Sequence, residues 1–251
     1  MKTTFLCENQ ISHKAARTCL AEWGFSAFIE VGGIRILFDT GHSGIYRTNA
    51  QKLGIDLQKT DFVVLSHYHW DHVDGLQYHD FAEKKRLLLH PDLLGKLPEQ
   101  QAGAYRADFH VIESRSPFEM APGVFYLGEI PRTKGFEKGS YKGDPMLEDS
   151  AIAVKTSNGA VVISGCSHAG ICNICDYAKE VTGQALHAVM GGFHLFEHDE
   201  ETTAGTIDYF RAEKPEHLHP MHCVDFPTLS KLHSALGIQK LSTGDDIEFA
   251  D

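Results

Sequence analysis

The residues with the clearest chemical meaning lie between Ser66 and His72, where the sequence reads SHYHWDH. Neutral imidazoles and a carboxylate are a ligand set suited to zinc, iron or manganese. In a turn, His67 and His69 can point at one ion, while Asp71 and His72 turn toward a second ion about 3.5–4 Å away, as in two-metal sites. We therefore predict a binuclear metal centre here. The alternative is a His-rich loop that binds nothing.

An apolar run leads directly into this cluster and must position it. Residues 61–66 (DFVVLS) have the composition of a short strand buried on both faces, which places the histidines at its C-terminal end. Upstream, residues 26–31 and 34–38 are predicted strands, and Gly32 and Gly33 between them are typical of a hairpin turn.

The rest of the chain is predicted to form a single α/β domain over residues 1–251. Further strands are predicted at 86–90, 151–156, 160–164, 187–190, 217–219 and 240–242, and helices at 48–53, 92–97, 170–182, 202–212 and 227–236. The segment 100–148 is rich in Gly, Pro and charged residues, so we expect it to be the least regular part of the chain.

The charge balance restricts the class of partner. The formal net charge is −11, which opposes binding to nucleic acid or to an anionic membrane. No segment approaches the ~20 apolar residues of a membrane helix, and the N-terminal residues lack a secretory pattern. We expect a cytoplasmic protein that acts on a small molecule, with a homo-oligomer left open.

Six cysteines are present, and a cytoplasmic location predicts that their thiols are reduced. Cys172 and Cys175 have the spacing of a redox pair, but they lack the surroundings of a thioredoxin site. The interpretation that we favour places both as small apolar residues on a helix.

The metal motif His67-x-His69-x-Asp71-His72 resembles the signature of the metallo-β-lactamase superfamily. Other segments resemble one branch of it, the dihydropterin synthase-like metal-dependent hydrolases, and these segments are FDTG (38–41), VLSH (64–67), DGL (74–76), GEIPR (128–132), GCSHAGI (165–171), GGFHL (191–195) and PMHC (220–223). The resemblance extends over essentially the whole chain.

This resemblance implies an αββα sandwich, with two mixed β-sheets flanked by helices and the metal site along one edge. It also implies that His222 is a ligand, since His222 matches the last histidine of the superfamily. His222 would complete the second metal position together with Asp71 and His72.

The chain departs from the superfamily pattern in its middle. Most members have Gly-Asp after the strand at 161–164, and that aspartate bridges the metals, whereas this chain has Gly165 and Cys166. The histidine usual one strand earlier is also absent. His168 is therefore expected to be the third ligand of the His67 and His69 site. Cys166 is either a thiolate ligand that bridges the ions or a small buried residue that shapes the turn.

Three other residues are candidates for roles beside the metal. His194 follows a predicted strand, where it can orient substrate or donate a proton, or else be structural. Arg132 begins a basic run with Lys134, Lys138 and Lys142, and its guanidinium is suited to a carboxylate or phosphate. Asp39 is expected to hold its turn or a ligand imidazole rather than a metal.

Taken together, these features predict a metal-dependent hydrolase. Two divalent ions (Zn²⁺ first, with Mn, Fe or Mg as alternatives) would activate water, Asp71 would orient the hydroxide, and His194 would protonate the leaving group of an anionic substrate. The alternatives are a pterin-condensing enzyme, a di-iron redox protein, a nuclease and a non-enzymatic metal-binding sensor. His69 disfavours the di-iron protein, and the net charge of −11 disfavours the nuclease.

Overall fold

A computed structural model describes residues 1–15, 17–137 and 139–250. The chain divides into two compact units, of which unit 1 comprises Met1–Arg115 with Leu241–Asp251, and unit 2 comprises Ser116–Lys240. Each unit has one mixed β-sheet and its own helices, which confirms the predicted α/β class with two mixed sheets. The prediction of a single domain stays a prediction.

Unit 1 contains a seven-stranded sheet with the order β13-β1-β2-β3-β4-β5-β6. Its strands are β1 (Lys2–Cys7), β2 (Ser26–Val31), β3 (Ile34–Phe38), β4 (Phe62–Val64), β5 (Arg86–Leu89), β6 (His110–Glu113) and β13 (Asp246–Glu248). Its α-helices are α1 (Ile45–Lys52), α2 (Trp70–Val73), α3 (Leu93–Lys96) and α4 (Glu99–Asp108). Neighbouring strands are antiparallel from β13 to β3 and parallel from β3 to β6.

The core of unit 1 forms where helices cover its sheet. Leu37, Val63 and Leu87 on β3, β4 and β5 pack in one buried cluster with Tyr46 of α1 and Tyr105 of α4. The Tyr105 hydroxyl, although buried, donates a hydrogen bond of 2.7 Å to the Val73 carbonyl. This bond connects α4 to the end of α2, the helix that carries part of the predicted metal motif.

Unit 2 contains a six-stranded sheet with the order β12-β11-β10-β9-β8-β7. Its strands are β7 (Phe118–Ala121), β8 (Val124–Tyr126), β9 (Ala151–Thr156), β10 (Gly159–Ser164), β11 (Leu186–Gly192) and β12 (His217–Met221). Its α-helices are α5 (Ile171–Thr182), α6 (Glu200–Glu213) and α7 (Phe226–Leu236). Strands β10, β11 and β12 are parallel, and the register places Ser164 beside Gly191 and Gly191 beside Pro220. The C-terminal ends of these three strands therefore meet at one edge of the sheet.

Helix α5 decides between the two interpretations of the Cys172 and Cys175 pair. Both thiols are buried in the core of unit 2. Burial raises the pKa of Cys172 and that of Cys175 well above the ordinary thiol value. A redox-active thiol needs access and a stabilised thiolate. The structure thus supports the small apolar role.

The structure differs from the sequence analysis in three places, and the predicted strand at 240–242 was wrong. The segment 100–148 contains most of α4 and all of β6, β7 and β8, because short edge strands with polar residues give a weak hydrophobic pattern. No strand forms at 240–242, and β13 lies a few residues later. Strand β1 was not predicted, since its KTTFLC sequence is almost wholly buried and does not alternate. Among the described residues, no helix is long and apolar enough to cross a membrane.

We expect Gly75→Ala to destabilise the protein by roughly 2 kcal/mol or more, because overpacking of a buried position forces the backbone to shift. A Cβ at Gly75 would lie 2.0 Å from the Thr40 carbonyl oxygen and 2.9 Å from that of Ser43. The measurement is the free energy of unfolding in denaturant. Gly103→Ala is the matched control. Gly103 is an exposed residue of α4, and no atom lies within 4 Å of the Cβ that the substitution adds. This variant should stabilise the folded protein by up to about 1 kcal/mol. Equal unfolding free energies for the two variants would contradict this account.

Candidate metal centre

Unit 1 brings together the histidines predicted to bind metal. His67, His69 and His72 follow β4, and His69 is the N-cap of α2. The imidazole centroids lie 4.7 Å apart for His67 and His69, and 4.2 Å apart for His67 and His72. A carboxylate oxygen of the buried Asp71 lies within 4.8 Å of a ring nitrogen of His72. All four predicted ligands of this segment are thus neighbours.

Asp39 organises these ligands, as the sequence led us to expect. This fully buried carboxylate accepts hydrogen bonds from the Ser66 amide at 2.8 Å, the Ser66 hydroxyl at 2.6 Å and His72 Nδ1 at 2.7 Å. Because His72 Nδ1 donates its proton to Asp39, His72 Nε2 keeps the lone pair that a metal requires. The carboxylate therefore selects the tautomer of His72.

The same carboxylate controls His67 through Ser66. The Ser66 Oγ also lies 2.9 Å from His67 Nδ1. The single hydroxyl proton is donated to Asp39, so Ser66 Oγ must accept a proton from His67 Nδ1. This leaves His67 Nε2 as the unprotonated ring nitrogen, the form that a metal would require. One buried charge thus orients two imidazoles.

The backbone around Asp39 holds the short helix α2 in place. The Thr40 amide and hydroxyl both donate to the His72 carbonyl, at 2.8 and 3.0 Å. The Phe25 amide donates to the Asp71 carbonyl at 3.1 Å. A four-residue helix has little stability of its own, so these tertiary bonds fix its position.

Unit 2 assembles a second set of candidate ligands at the C-terminal ends of its parallel strands. Cys166 and His168 follow β10, His194 follows β11, and His222 and Cys223 follow β12. Three residues in these turns have left-handed backbone conformations, and these are Ser167 (φ 62°), His194 (φ 48°) and His222 (φ 51°). Such conformations cost free energy and concentrate at functional sites.

The side chains of this second set converge. Ligand atoms of Cys166, His194 and Cys223 lie within 4.8 Å of one another. The His168 and His194 rings lie 4.2 Å apart. The ring of Tyr141 contacts both histidines, at centroid distances of 5.3 Å to His168 and 5.8 Å to His194.

Cys223 is buried and lies in contact with the partly buried His194. The His194 amide donates to Cys223 Sγ at 3.2 Å. Burial opposes charge on both groups. The contact with Cys223 outweighs it for His194, whereas for Cys223 the contact with Cys166 and then that with His194 outweigh it. The pKa of His194 is raised above its ordinary value, and the pKa of Cys223 is lowered well below that of a free thiol, with Cys166 and His222 also lowering the latter.

Glycines allow the turns of unit 2 to approach closely. A Cβ at Gly192 would lie 2.2 Å from the Gly165 carbonyl oxygen and 2.7 Å from Cys223 Sγ. The Ser167 hydroxyl donates to the Gly192 carbonyl at 2.5 Å, which joins the turn after β10 to the end of β11. Residues 191–192 (GG) and residues 165–167 (GCS) are thus neighbours in the structure.

Asp149 and Arg132 have defined contacts outside the ligand set. Asp149 Oδ2 accepts from the Ala169 amide at 2.8 Å and so supports the segment that carries His168. Arg132 donates from Nη2 to the Met146 carbonyl at 2.7 Å. Its predicted role in substrate binding stays a prediction.

Two lysines of the basic run after Arg132 have contacts in unit 2. Lys134 forms an ion pair of 2.6 Å with Asp176 on α5, whereas Lys142 lies over the Tyr141 ring at 5.0 Å. Lys138 lies outside the described residues. The structure therefore gives Lys134 an ion-pair partner on α5.

Two residues of the candidate site were not predicted. Cys223 lies next to His222 in the PMHC segment, and its place after a strand was a usable signal. Tyr141 lies in the segment expected to be irregular, and no motif marks it. The seven predicted ligands are distributed over both units, with His67, His69, Asp71 and His72 in unit 1, and Cys166, His168 and His222 in unit 2.

Comparisons with known proteins agree with these features. The family model of the metallo-beta-lactamase superfamily matches residues 24–179. An uncharacterized protein of Methanocaldococcus jannaschii is 30% identical over 244 residues, which cover 88% of this chain and 91% of that protein. The 7,8-dihydropterin-6-methyl-4-(beta-D-ribofuranosyl)-aminobenzene-5'-phosphate synthase of the same organism is 30% identical over 241 residues, which cover 82% of each.

The fold is also similar to that of a solved structure. The crystal structure of a metal-dependent hydrolase of the beta-lactamase superfamily superposes with a TM-score of 0.83 at 26% identity, and all of both chains is covered. These findings confirm the resemblance drawn from the motifs, including the similarity to the dihydropterin synthase. The fold of this family generally binds divalent metal ions. The chain belongs to the metallo-β-lactamase superfamily.

Proposed function

We propose that this protein is a metal-dependent hydrolase that uses a binuclear centre against a small anionic substrate. The observation that carries the proposal is the set of His67, His69, Asp71 and His72, in which the buried Asp39 fixes the tautomers of two imidazoles. The buried carboxylate fixes the tautomers of His67 and His72 so that each Nε2 is unprotonated. This arrangement is the one that metal-binding histidines show.

The chemistry of the donor atoms fits divalent ions. From the sequence motifs we propose His67, His69, Asp71 and His72 as metal ligands in unit 1, and His168 and His222 as metal ligands in unit 2. Cys166 is proposed as a thiolate ligand, since its sulfur lies within 4.8 Å of ligand atoms of His194 and Cys223. His194 Nδ1 is buried without a hydrogen-bond partner among the described residues, which suits a site that receives a further group. Ions bound there would lower the pKa of a water molecule and polarise the substrate.

The protein side chains supply orientation and proton transfer in this proposal. Asp71 orients the attacking water, and His194 protonates the leaving group. The left-handed turn at His194 and its ring contacts with His168 and Tyr141 hold the imidazole in one orientation. We propose Zn²⁺ as the ion, since the donors are imidazole, carboxylate and thiolate.

The substrate class follows from charge and from the relatives. A guanidinium at Arg132 can bind a phosphate or carboxylate in forked geometry. The related synthase is named for a phosphate-bearing pterin compound, which supports a phosphorylated heterocycle as substrate. The net charge of −11 supports a small molecule rather than a nucleic acid as the partner. We also propose a cytoplasmic location.

A second candidate function is a condensing reaction of the synthase type. The observation that favours it is the 30% identity to the synthase over 82% of the chain. Similarity of fold and motifs does not determine the substrate. A non-enzymatic metal-binding sensor is the third candidate, and turnover of any substrate would exclude it.

We expect the proposed binuclear centre to hold about two ions per chain in protein purified without chelator, as in two-metal sites, and the His168→Ala variant to contain less metal per chain than wild type. The reason is that His168 supplies one of the proposed ligands. Elemental analysis of metal per chain is the measurement. His110→Ala, an exposed histidine on β6, is the matched control and should keep the wild-type content. If His168→Ala binds as much metal as wild type, the ligand assignment of the GCSH segment is wrong.

Asp39→Asn should lower metal affinity by about 10–100-fold, the range observed when a ligand's supporting group is lost. The amide keeps the size of the carboxylate but removes the charge that holds the His67 and His72 tautomers. Competition with a chromogenic chelator measures this affinity. Asp208→Asn on the exposed surface of α6 is the control. An unchanged affinity in Asp39→Asn would show that the tautomers are set by other contacts.

Chelation should abolish hydrolysis, and added Zn²⁺ or Mn²⁺ should restore it. The assay panel contains a generic phosphodiester, a thioester, a lactone and a phosphorylated pterin, each with wild type and His194→Gln. We expect metal-dependent turnover of at least one substrate, with His194→Gln lowering kcat by about 10²–10⁴-fold, as for loss of a general acid. Condensation without hydrolysis would favour the synthase-type candidate. Full activity in metal-free protein would overturn the proposal.

A further inference from the structure

A separate group of metal-ligand side chains lies elsewhere in unit 2. His187 is near the start of β11, and Glu216 and His217 are at the start of β12. One ligand atom from each of the three lies within 4.8 Å of the others. Counted along β11 and β12 at about 3.3 Å per residue, this group is roughly 17–23 Å from the turns that carry His194 and His222. It therefore lies at the opposite ends of these strands.

The distances within this group are close to those of a coordination shell. Glu216 Oε2 lies 3.5 Å from His187 Nδ1, and Glu216 Oε1 lies 3.8 Å from His217 Nε2. Donor atoms around a tetrahedral ion with bonds of about 2.0–2.1 Å are separated by about 3.3 Å. Small side-chain rotations would close the remaining gap, and Glu216 is free to make them because its side chain is 71% exposed.

His219 provides an independent observation that points to a ligand. Its ring is 3% exposed, and its Nδ1 donates to the Gln239 carbonyl at 2.7 Å. Its Nε2 therefore carries a lone pair, and this buried atom has no hydrogen-bond partner among the described residues. His219 stacks on His217 at 6.0 Å, and both line a cavity of about 560 Å³ together with Glu216.

We propose that His187, Glu216 and His217 bind a divalent transition-metal ion, with Zn²⁺ as the best match to two imidazoles and a carboxylate. Three protein ligands leave a coordination position for water or for a small molecule that enters the cavity. The His219 Nε2 offers a buried acceptor to such a molecule. The ion joins the start of β11 to the start of the edge strand β12, which are separated in sequence by α6.

The test counts ions and measures their affinity in the full-length chain. Zn²⁺ alone is titrated against a chromogenic chelator with wild type, Glu216→Gln and His217→Gln. His110→Gln, an exposed histidine on β6, is the matched control. Both test positions are solvent-accessible, so the variants should fold, and circular dichroism checks this. Any ions at the proposed catalytic centre are present in all four proteins and cancel in the difference.

We expect Glu216→Gln and His217→Gln each to bind one Zn²⁺ fewer per chain than wild type, and His110→Gln to match wild type. Added Zn²⁺ should also raise the Tm of wild type more than that of either variant, because a ligand that binds only the folded state stabilises it. Equal Zn²⁺ stoichiometry and affinity in all four proteins would overturn the proposal. So would binding that wild type shows only at millimolar Zn²⁺.

Discussion

The buried carboxylate of Asp39 is the constraint on which the candidate site in unit 1 depends. A charge without solvent exposure must be neutralised by hydrogen bonds, and here the donors are the Ser66 amide, the Ser66 hydroxyl and His72 Nδ1. Satisfying this one charge brings the end of β3, the end of β4 and the helix α2 together. It also leaves the Nε2 atoms of His67 and His72 unprotonated, the state that the proposed metal binding requires. The same hydrogen bonds thus stabilise the local fold and fix the tautomers of the candidate ligands.

Unit 2 reaches a comparable result through parallel strand ends. The register of β10, β11 and β12 brings three turns to one edge, although the turns are separated by tens of residues in the sequence. Left-handed residues in each turn redirect the chain, and the glycines at 191 and 192 permit the close approach. The strain of these conformations is sustained because the surrounding sheet and α5 are well packed. The candidate ligands of unit 2 are therefore positioned by turns that the packed sheet supports.

The strands and helices that the sequence predicted well are those with strong hydrophobic patterns. The buried run before His67, the hairpin at Gly32 and Gly33, and helices α5, α6 and α7 all form close to their predicted bounds. The failures share a cause. The strands β6, β7 and β8 are short and partly exposed, and β1 is buried without alternation, so neither type produces the period-2 signal that predicts a strand. Their pairing partners, rather than their own residues, stabilise them.

The sequence by itself determined the ligand-rich motif, the α/β class and the superfamily, because the spacing of His67, His69, Asp71 and His72 is a local property that needs no knowledge of distant contacts. Only the tertiary structure decided that Asp39 bonds to Ser66 and His72, that Cys223 lies beside Cys166 and His194, and that Tyr141 contacts two histidines. Those relations join residues far apart in the chain. They depend on strand register and on the turn conformations that follow each strand, which are set by the packing of a whole sheet and leave little trace in any short segment.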